Sequence, residues 1–143
     1  MPLKTIKFYG YLGVLPFILF TIAPWLSSDF SEISLKGISF YGGVIISFLG
    51  GTAWGWAPNS AGSIRFGIAC TFINLMIIFF VFKNILIALV ICFLVFPLFL
   101  YFEAQNNSTF KNNSEYAEMR RILTLLVTIC YFICLAFVFN PYT

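Results

Sequence analysis

The chain has 143 residues, of which 61% are hydrophobic and only 9% are charged. Soluble domains are about 45–50% apolar and about 25% charged, and a chain of this size folded in water could not bury so much apolar surface. The composition therefore excludes an ordinary soluble domain. The net charge of +3 is too small and too dispersed for a nucleic-acid partner, and the absence of histidine removes the commonest general base and metal ligand.

Five apolar segments approach the length of about 20 residues that crosses about 30 Å of hydrocarbon. They cover approximately residues 8–26, 37–56, 64–82, 85–102 and 122–140. In lipid each segment must be helical, because unpaired backbone amides are costly there. The sequence therefore predicts an all-α integral membrane protein, a single domain over residues 1–143 in which five transmembrane helices form a compact bundle.

The distribution of basic residues predicts the orientation of these helices, since basic residues favour the inner side of a membrane. Six basic residues fall on the side of the N-terminus and two on the other. The six are Lys4, Lys7, Arg65, Lys111, Arg120 and Arg121, and the two are Lys36 and Lys83. We expect the N-terminus in the cytoplasm or mitochondrial matrix and the C-terminus outside.

The second apolar segment carries small residues at intervals of four positions. They are Ser39, Gly43, Ser47, Gly51 and Gly55. Small residues on one helix let another helix approach closely, so that dispersion and weak Cα–H···O contacts hold the pair. The row predicts a helix-packing ridge. The ridge would serve either the protein's own bundle or the docking of another subunit.

Three stretches of the chain carry a family resemblance. They are residues 9–17, residues 41–55 with the sequence YGGVIISFLGGTAWG, and residues 116–124. They resemble an uncharacterised membrane family known as domain of unknown function 3429, which includes the mitochondrial transmembrane protein 69. The resemblance covers nearly the whole chain. It implies a multi-helix fold and a multi-pass location in a bacterial inner (plasma) membrane or a mitochondrial inner membrane, and it supplies no activity.

Asn74 lies near the middle of the third apolar segment. A buried amide in lipid normally finds a partner on another helix, and a ligand is the alternative partner. Tyr41 and Trp54, near the ends of the second segment, are further candidates for such a polar contact.

A second set of polar residues flanks the longest connection, which lies between the fourth and fifth segments. Glu103 ends the fourth segment, and Arg120 and Arg121 begin the fifth on the same side. We expect an interfacial ion pair there, with separate contacts to water or lipid phosphate as the alternative. An exposed pair would contribute only about 0–1 kcal/mol.

Cys92, Cys130 and Cys134 fall at similar depths, and thiolates can bind copper(I) or zinc. Buried cysteine also behaves as a small hydrophobic residue, and without histidine we predict no metal site. We predict no cofactor and no catalytic residue either.

Two functions remain open. The first is a non-catalytic accessory or assembly subunit that acts by helix packing, with the lipid bilayer, other membrane subunits or a second copy of the chain as partners. The alternative is a binder or carrier of a lipid, a quinone or another small apolar molecule. An intramembrane enzyme ranks last, because the sequence offers no evident acid, base or nucleophile.

Overall fold

The computed structural model describes residues 3–56 and 60–139, and every secondary-structure element among them is helical. Short 3₁₀ turns at Ser28–Phe30 and Ala53–Gly55 flank the third α-helix. The α-helices are α1 (Leu3–Leu12), α2 (Leu15–Leu26), α3 (Ser31–Thr52), α4 (Ala61–Lys83), α5 (Ile85–Asn106), α6 (Ser108–Asn112) and α7 (Ser114–Phe139).

Five helical segments of the described chain are long and apolar enough to cross a membrane, as predicted. They are Leu3–Leu26, Ser28–Gly55, Ala61–Lys83, Ile85–Asn106 and Ser114–Phe139. All five are longer than the apolar runs alone indicated, because the helices continue into the flanking residues. Residues 57–59 of the predicted turn after the second segment, and the predicted end of the fifth segment at Asn140, lie outside the described residues.

Asparagine side chains begin the last three helices. The Oδ1 atoms of Asn84 and Asn107 accept hydrogen bonds from the amides of Leu86 and Thr109, each at 3.1 Å. Asn113 does the same for the first turn of α7. These N-caps satisfy amides that have no partner inside the helix. They explain why α7 begins eight residues before the predicted start at residue 122.

The first helical segment is broken at Gly13 and Val14, between α1 and α2. Pro16 lies in the first turn of α2 and has no N–H to donate to the carbonyl of Leu12. The carbonyl of Gly13 accepts a hydrogen bond of 2.7 Å from the hydroxyl of Tyr41 on α3. The break therefore has a specific partner on the neighbouring helix.

Helix α3 lies at the centre of the bundle and packs against α2, α4 and α5. Helix α7 packs against α5, α2 and α1. Tyr131 of α7 is fully buried, and its hydroxyl donates a hydrogen bond of 2.7 Å to the carbonyl of Ile38 on α3. The rings of Phe17 on α2 and Phe96 on α5 lie 5.8 Å and 6.0 Å from the Tyr131 ring. Tyr131 therefore joins α7 to α2, α3 and α5 in the core.

The outer surface of the bundle is apolar. Helix α4 alone exposes Phe72, Leu75, Met76, Phe79 and Phe82. Such a surface is costly in water, and it is compatible with a multi-pass membrane protein.

Candidate functional site

The row of small residues on α3 does not form the single ridge that its spacing predicted. Ser39 is fully buried, and a Cβ atom on Gly43 would collide with the amide oxygen of Asn74 on α4. In contrast, a Cβ atom on Gly51 or Gly55 would meet nothing within 4 Å. Four residues turn an α-helix by about 40° more than a full revolution. The row therefore winds away from α4 before it reaches Gly51.

Three glycines outside that row, Gly42, Gly50 and Gly67, also make close helix contacts. A Cβ atom on Gly50 would lie 2.7 Å from the Cβ of Cys70 and 2.8 Å from the carbonyl oxygen of Gly67, so α3 and α4 cross backbone to backbone at this point. Gly42 faces the hydroxyl of Tyr131. The glycine pairs 42–43 and 50–51 were visible in the sequence. The four-residue spacing included Gly43 and Gly51 but omitted Gly42 and Gly50.

Asn74, Tyr41 and Trp54 contact different neighbours. The Oδ1 atom of Asn74 is buried and has no hydrogen-bond partner among the described residues. Tyr41 bonds to the break in the first segment, as described above, and the exposed ring of Trp54 lies against Gly67. None of the three lines either of the two cavities described below.

The structure brings Glu103 and Arg120 together, and it buries them. The Nε atom of Arg120 donates to Oε1 of Glu103 at 2.7 Å, and the two residues are only 7% and 1% exposed. The expected ion pair is therefore present between Glu103 and Arg120, but it is buried and not exposed. Arg121 takes no part, because its guanidinium group lies 5.2 Å from the centre of the Phe110 ring.

The other carboxylate oxygen of Glu103 is also satisfied. Oε2 accepts hydrogen bonds from the hydroxyl of Tyr116 at 2.7 Å and from Nδ2 of Asn107 at 3.2 Å. Glu103 thus has three donors, whereas the terminal nitrogens of Arg120 have no hydrogen bond to any described residue. Arg120 therefore keeps hydrogen-bond donors without protein partners, whereas both carboxylate oxygens of Glu103 already accept hydrogen bonds.

Arg120 lines a cavity of about 670 Å³ between α1, the last turns of α3 and the first turns of α7. Polar residues from α1, α3, the α6 region and the first turn of α7 contribute to its wall, and apolar side chains make up most of the rest. The polar group includes Thr5, Thr52, Asn107, Thr109 and Tyr116, and the apolar group includes Ile6, Phe48, Leu49, Met119 and Leu123.

A smaller recess of about 150 Å³ adjoins this cavity beside the break between α1 and α2. The two share Tyr9, Gly10, Phe48, Leu49, Arg120 and Leu123. The recess continues past Gly13 and Phe17 to Thr124 and Val127. Neither space was predictable from the sequence, although Arg120, which lines both, was identified there as part of the expected ion pair.

All four cysteines are buried and unbridged. The Sγ atom of Cys92 lies 4.0 Å from the carbonyl oxygen of Ser39, and that of Cys134 lies 3.9 Å from the hydroxyl of Thr21. Within residues 3–56 and 60–139, no three His, Cys, Asp or Glu side chains lie close enough to hold a metal ion. The cysteines therefore act as core residues in the described structure.

Comparison with known proteins gives a family and nothing finer. No curated protein and no solved structure matches the chain. One family model matches residues 2–136, which is nearly the whole chain. The resemblance inferred from residues 9–17, 41–55 and 116–124 is confirmed, and the chain belongs to the family described as protein of unknown function DUF3429.

Proposed function

We propose that this chain is a multi-pass inner-membrane protein that binds an amphiphilic small molecule in the cavity between α1, α3 and α7. The observation that carries the proposal is the cavity of about 670 Å³ with the buried Arg120 in its wall. Ligand sites are typically concave spaces of about 300–1,000 Å³ with mostly apolar walls and a few polar groups. This cavity has that size and that mixture.

The polar residues of the wall give the ligand its chemical character. Thr5 and Thr109 offer hydroxyl groups, and Phe48 and Leu123 offer apolar surface, whereas the Thr52 hydroxyl already donates to the Leu49 carbonyl oxygen at 2.6 Å. A purely apolar ligand would leave the hydroxyl groups without partners, and a purely polar ligand would leave the apolar surface exposed to water. A molecule with a polar head and an apolar body satisfies both.

The ion pair fixes Arg120 in place for such a ligand. A buried charge without a partner is very costly, and Glu103 supplies the partner. Because Glu103 is itself held by Tyr116 and Asn107, the guanidinium plane is oriented before any ligand arrives. Its terminal nitrogens are then available as preorganised donors.

The basic residues support an orientation with the N-terminus inside. Lys7, Arg120 and Arg121 would lie towards the inner leaflet, as would the polar end of the cavity. A ligand would then enter from the inner leaflet with its polar head near the membrane surface.

Two glycine substitutions test the proposal. Gly55 lines the cavity and Gly51 does not, and a Cβ atom at either position meets nothing within 4 Å. Gly55→Leu therefore fills part of the cavity, and Gly51→Leu is its matched control. Native mass spectrometry and lipid extraction of the protein purified in mild detergent would measure the bound small molecule.

We expect about one bound amphiphile per chain in the wild type and in Gly51→Leu, and at least about a tenfold lower occupancy in Gly55→Leu. Equal occupancy in the two variants would contradict the proposal. A wild-type protein that carries no small molecule in any mild detergent would contradict it as well.

A second candidate function is that of an accessory or assembly subunit that packs against another membrane protein or a second copy. The open space around Gly51 supports it, since another helix could approach α3 there. Gly43, Gly50 and Gly67 offer no such surface, because their contacts lie within the chain. A docking role predicts that Gly51→Leu loses a co-purifying protein and keeps the small molecule.

A further inference from the structure

The recess beside the helix break contains a buried hydroxyl group without a partner. Thr124 lines the recess and is only 5% exposed, and its Oγ1 atom has no hydrogen bond to any described residue. Burying an unpaired hydroxyl is unfavourable. A ligand atom in the recess would supply the missing partner.

Several other helical hydroxyl groups donate within their own helix, although the buried Oγ atom of Ser47, which lines neither cavity, also has no partner among the described residues. Thr21 and Thr128 donate to the carbonyl oxygens four residues earlier, at 2.6 Å and 2.7 Å, and Ser39 does so at 2.9 Å. Thr124 does not make this bond. Its hydroxyl group is therefore left for a partner outside its own helix.

One further feature of the recess favours a hydrogen-bond acceptor. Arg120 lies one helical turn before Thr124 and lines the same recess with unused terminal donors.

The walls of the recess favour a neutral acceptor over an anion. Phe17, Ile45, Phe96 and Val127 make up much of the lining, and desolvating an anion against such walls is costly. The charge of Arg120 is already balanced by Glu103. A carbonyl oxygen meets both conditions, because it accepts hydrogen bonds and carries no charge.

We propose that the recess binds a carbonyl oxygen of the amphiphile, which accepts hydrogen bonds from the Thr124 hydroxyl group and from Arg120. This inference rests on the proposed function, since the body of the same molecule occupies the larger cavity. The ligand class is a neutral amphiphile that carries a carbonyl group. A quinone with an apolar tail and an acyl ester of glycerol both have this chemistry.

Four probes test the inference by native mass spectrometric titration of the full chain in detergent. Monoolein carries an ester carbonyl, and its oleyl ether analogue lacks it. Decylubiquinone carries quinone carbonyls, and oleate carries a carboxylate. We expect the wild type to bind monoolein or decylubiquinone at least about tenfold more tightly than the ether, and the preferred probe identifies the source of the carbonyl.

Thr124→Val removes the hydroxyl group at nearly constant volume, and Thr124→Ser keeps it. Thr128→Val is the matched control, because Thr128 lines neither cavity. We expect Thr124→Val to weaken binding of the carbonyl probe about fivefold to a hundredfold and to leave the ether unchanged. Thr124→Ser and Thr128→Val should bind as the wild type does.

The unfolding temperature separates a ligand role from a structural one. A hydroxyl group without a protein partner predicts that Thr124→Val unfolds at the same or a higher temperature than the wild type without ligand. Unchanged binding of the carbonyl probe in Thr124→Val would overturn the inference. A preference for oleate, or equal binding of monoolein, decylubiquinone and the ether, would also overturn it. If Gly55→Leu also binds every probe as the wild type does, the proposed function fails with it.

Discussion

Arg120 donates from Nε to Oε1 of Glu103 at 2.7 Å, and this bond joins α7 to α5 inside the protein. The two residues are 17 positions apart. Asn107 and Tyr116, which lie between them in the chain, donate to the other carboxylate oxygen. Residues at both ends of the connection between α5 and α7 therefore bond to the same buried carboxylate.

Removing one partner of this pair should destabilise the fold strongly. Glu103→Gln leaves the Arg120 charge buried without its counter-charge, and we expect a loss of about 3 kcal/mol in the free energy of unfolding. Denaturant unfolding in detergent micelles, followed by circular dichroism, measures it. The double variant Glu103→Met with Arg120→Met removes both charges and should recover most of the loss. A loss below about 1 kcal/mol in Glu103→Gln would mean that the pair behaves as an exposed one.

The crossing of α3 and α4 predicts opposite effects at two adjacent glycines. In Gly50→Ala the new methyl group meets the Cys70 side chain and the backbone of Gly67, and a backbone atom cannot rotate away. We expect a loss of about 1–3 kcal/mol in the free energy of unfolding. In Gly51→Ala the methyl group meets nothing within 4 Å, and the variant should gain up to about 1 kcal/mol from helix propensity.

The same unfolding measurement gives both values, and Gly51→Ala serves as the control for Gly50→Ala. Equal stability of the two variants would show that α3 and α4 do not cross at Gly50. The comparison does not depend on any bound ligand, because neither glycine lines the cavities.

The number of apolar helices was predictable from the sequence, because the length and hydropathy of each segment decide it. Their rotation about their own axes was not. Helix α5 is apolar nearly all round, from Ile85 to Phe102, so periodicity cannot show which side faces the core. For α3, whether Gly50 or Gly51 contacts α4 depends on where the two helices cross, and the local sequence pattern does not indicate the crossing point.

The candidate site was also only partly predictable from the sequence. Glu103 and Arg120 were identifiable because charges are rare in apolar segments. Their burial was not predictable, since it depends on α5 extending to Asn106 and on α7 starting at Ser114. The recess at Thr124 depends in turn on the break at Gly13, which Pro16 only partly indicates. Both features result from tertiary packing.

Gly42 and Tyr131 should be energetically coupled. A methyl group in Gly42→Ala would collide with the Tyr131 hydroxyl group, and we expect a loss of about 1–3 kcal/mol. Tyr131→Phe removes the hydroxyl group and its bond to the Ile38 carbonyl, at a cost of about 1 kcal/mol. In the double variant the collision is relieved, so the loss should be smaller than the sum of the two single losses.

A double-mutant cycle of unfolding free energies tests this coupling. Gly51→Ala with Tyr131→Phe is the control cycle, and its two effects should add within about 0.5 kcal/mol. Strict additivity in the Gly42 cycle would contradict the packing of Tyr131 against Gly42.

Tyr41 should hold the break between α1 and α2 in place. Tyr41→Phe removes the hydrogen bond to the Gly13 carbonyl, and we expect a loss of about 1 kcal/mol and faster amide exchange over residues 13–18. Hydrogen–deuterium exchange with peptide mass spectrometry measures the protection. Tyr101→Phe is the control, because Tyr101 is exposed and lines neither cavity. Unchanged protection at residues 13–18 in Tyr41→Phe would show that the break does not depend on this bond.

The proposed orientation makes a prediction about the two ends of the bundle. Ser28 and Asn112 are exposed polar residues, Ser28 between α2 and α3 and Asn112 at the end of α6. With the N-terminus inside, Ser28 lies outside and Asn112 lies inside. The native cysteines are all buried and should contribute little background labelling. A membrane-impermeant maleimide should therefore label Ser28→Cys in intact cells and label Asn112→Cys only after the cells are permeabilised.

Neither substitution changes a charge, so neither disturbs the balance of six basic residues against two on which the orientation rests. Labelling of Asn112→Cys in intact cells, with Ser28→Cys protected, would reverse the orientation. The polar end of the cavity would then face the outer leaflet, and its ligand would have to enter from there. Labelling of both sites in intact cells would contradict a five-helix span, since an odd number of crossings between these ends must separate them.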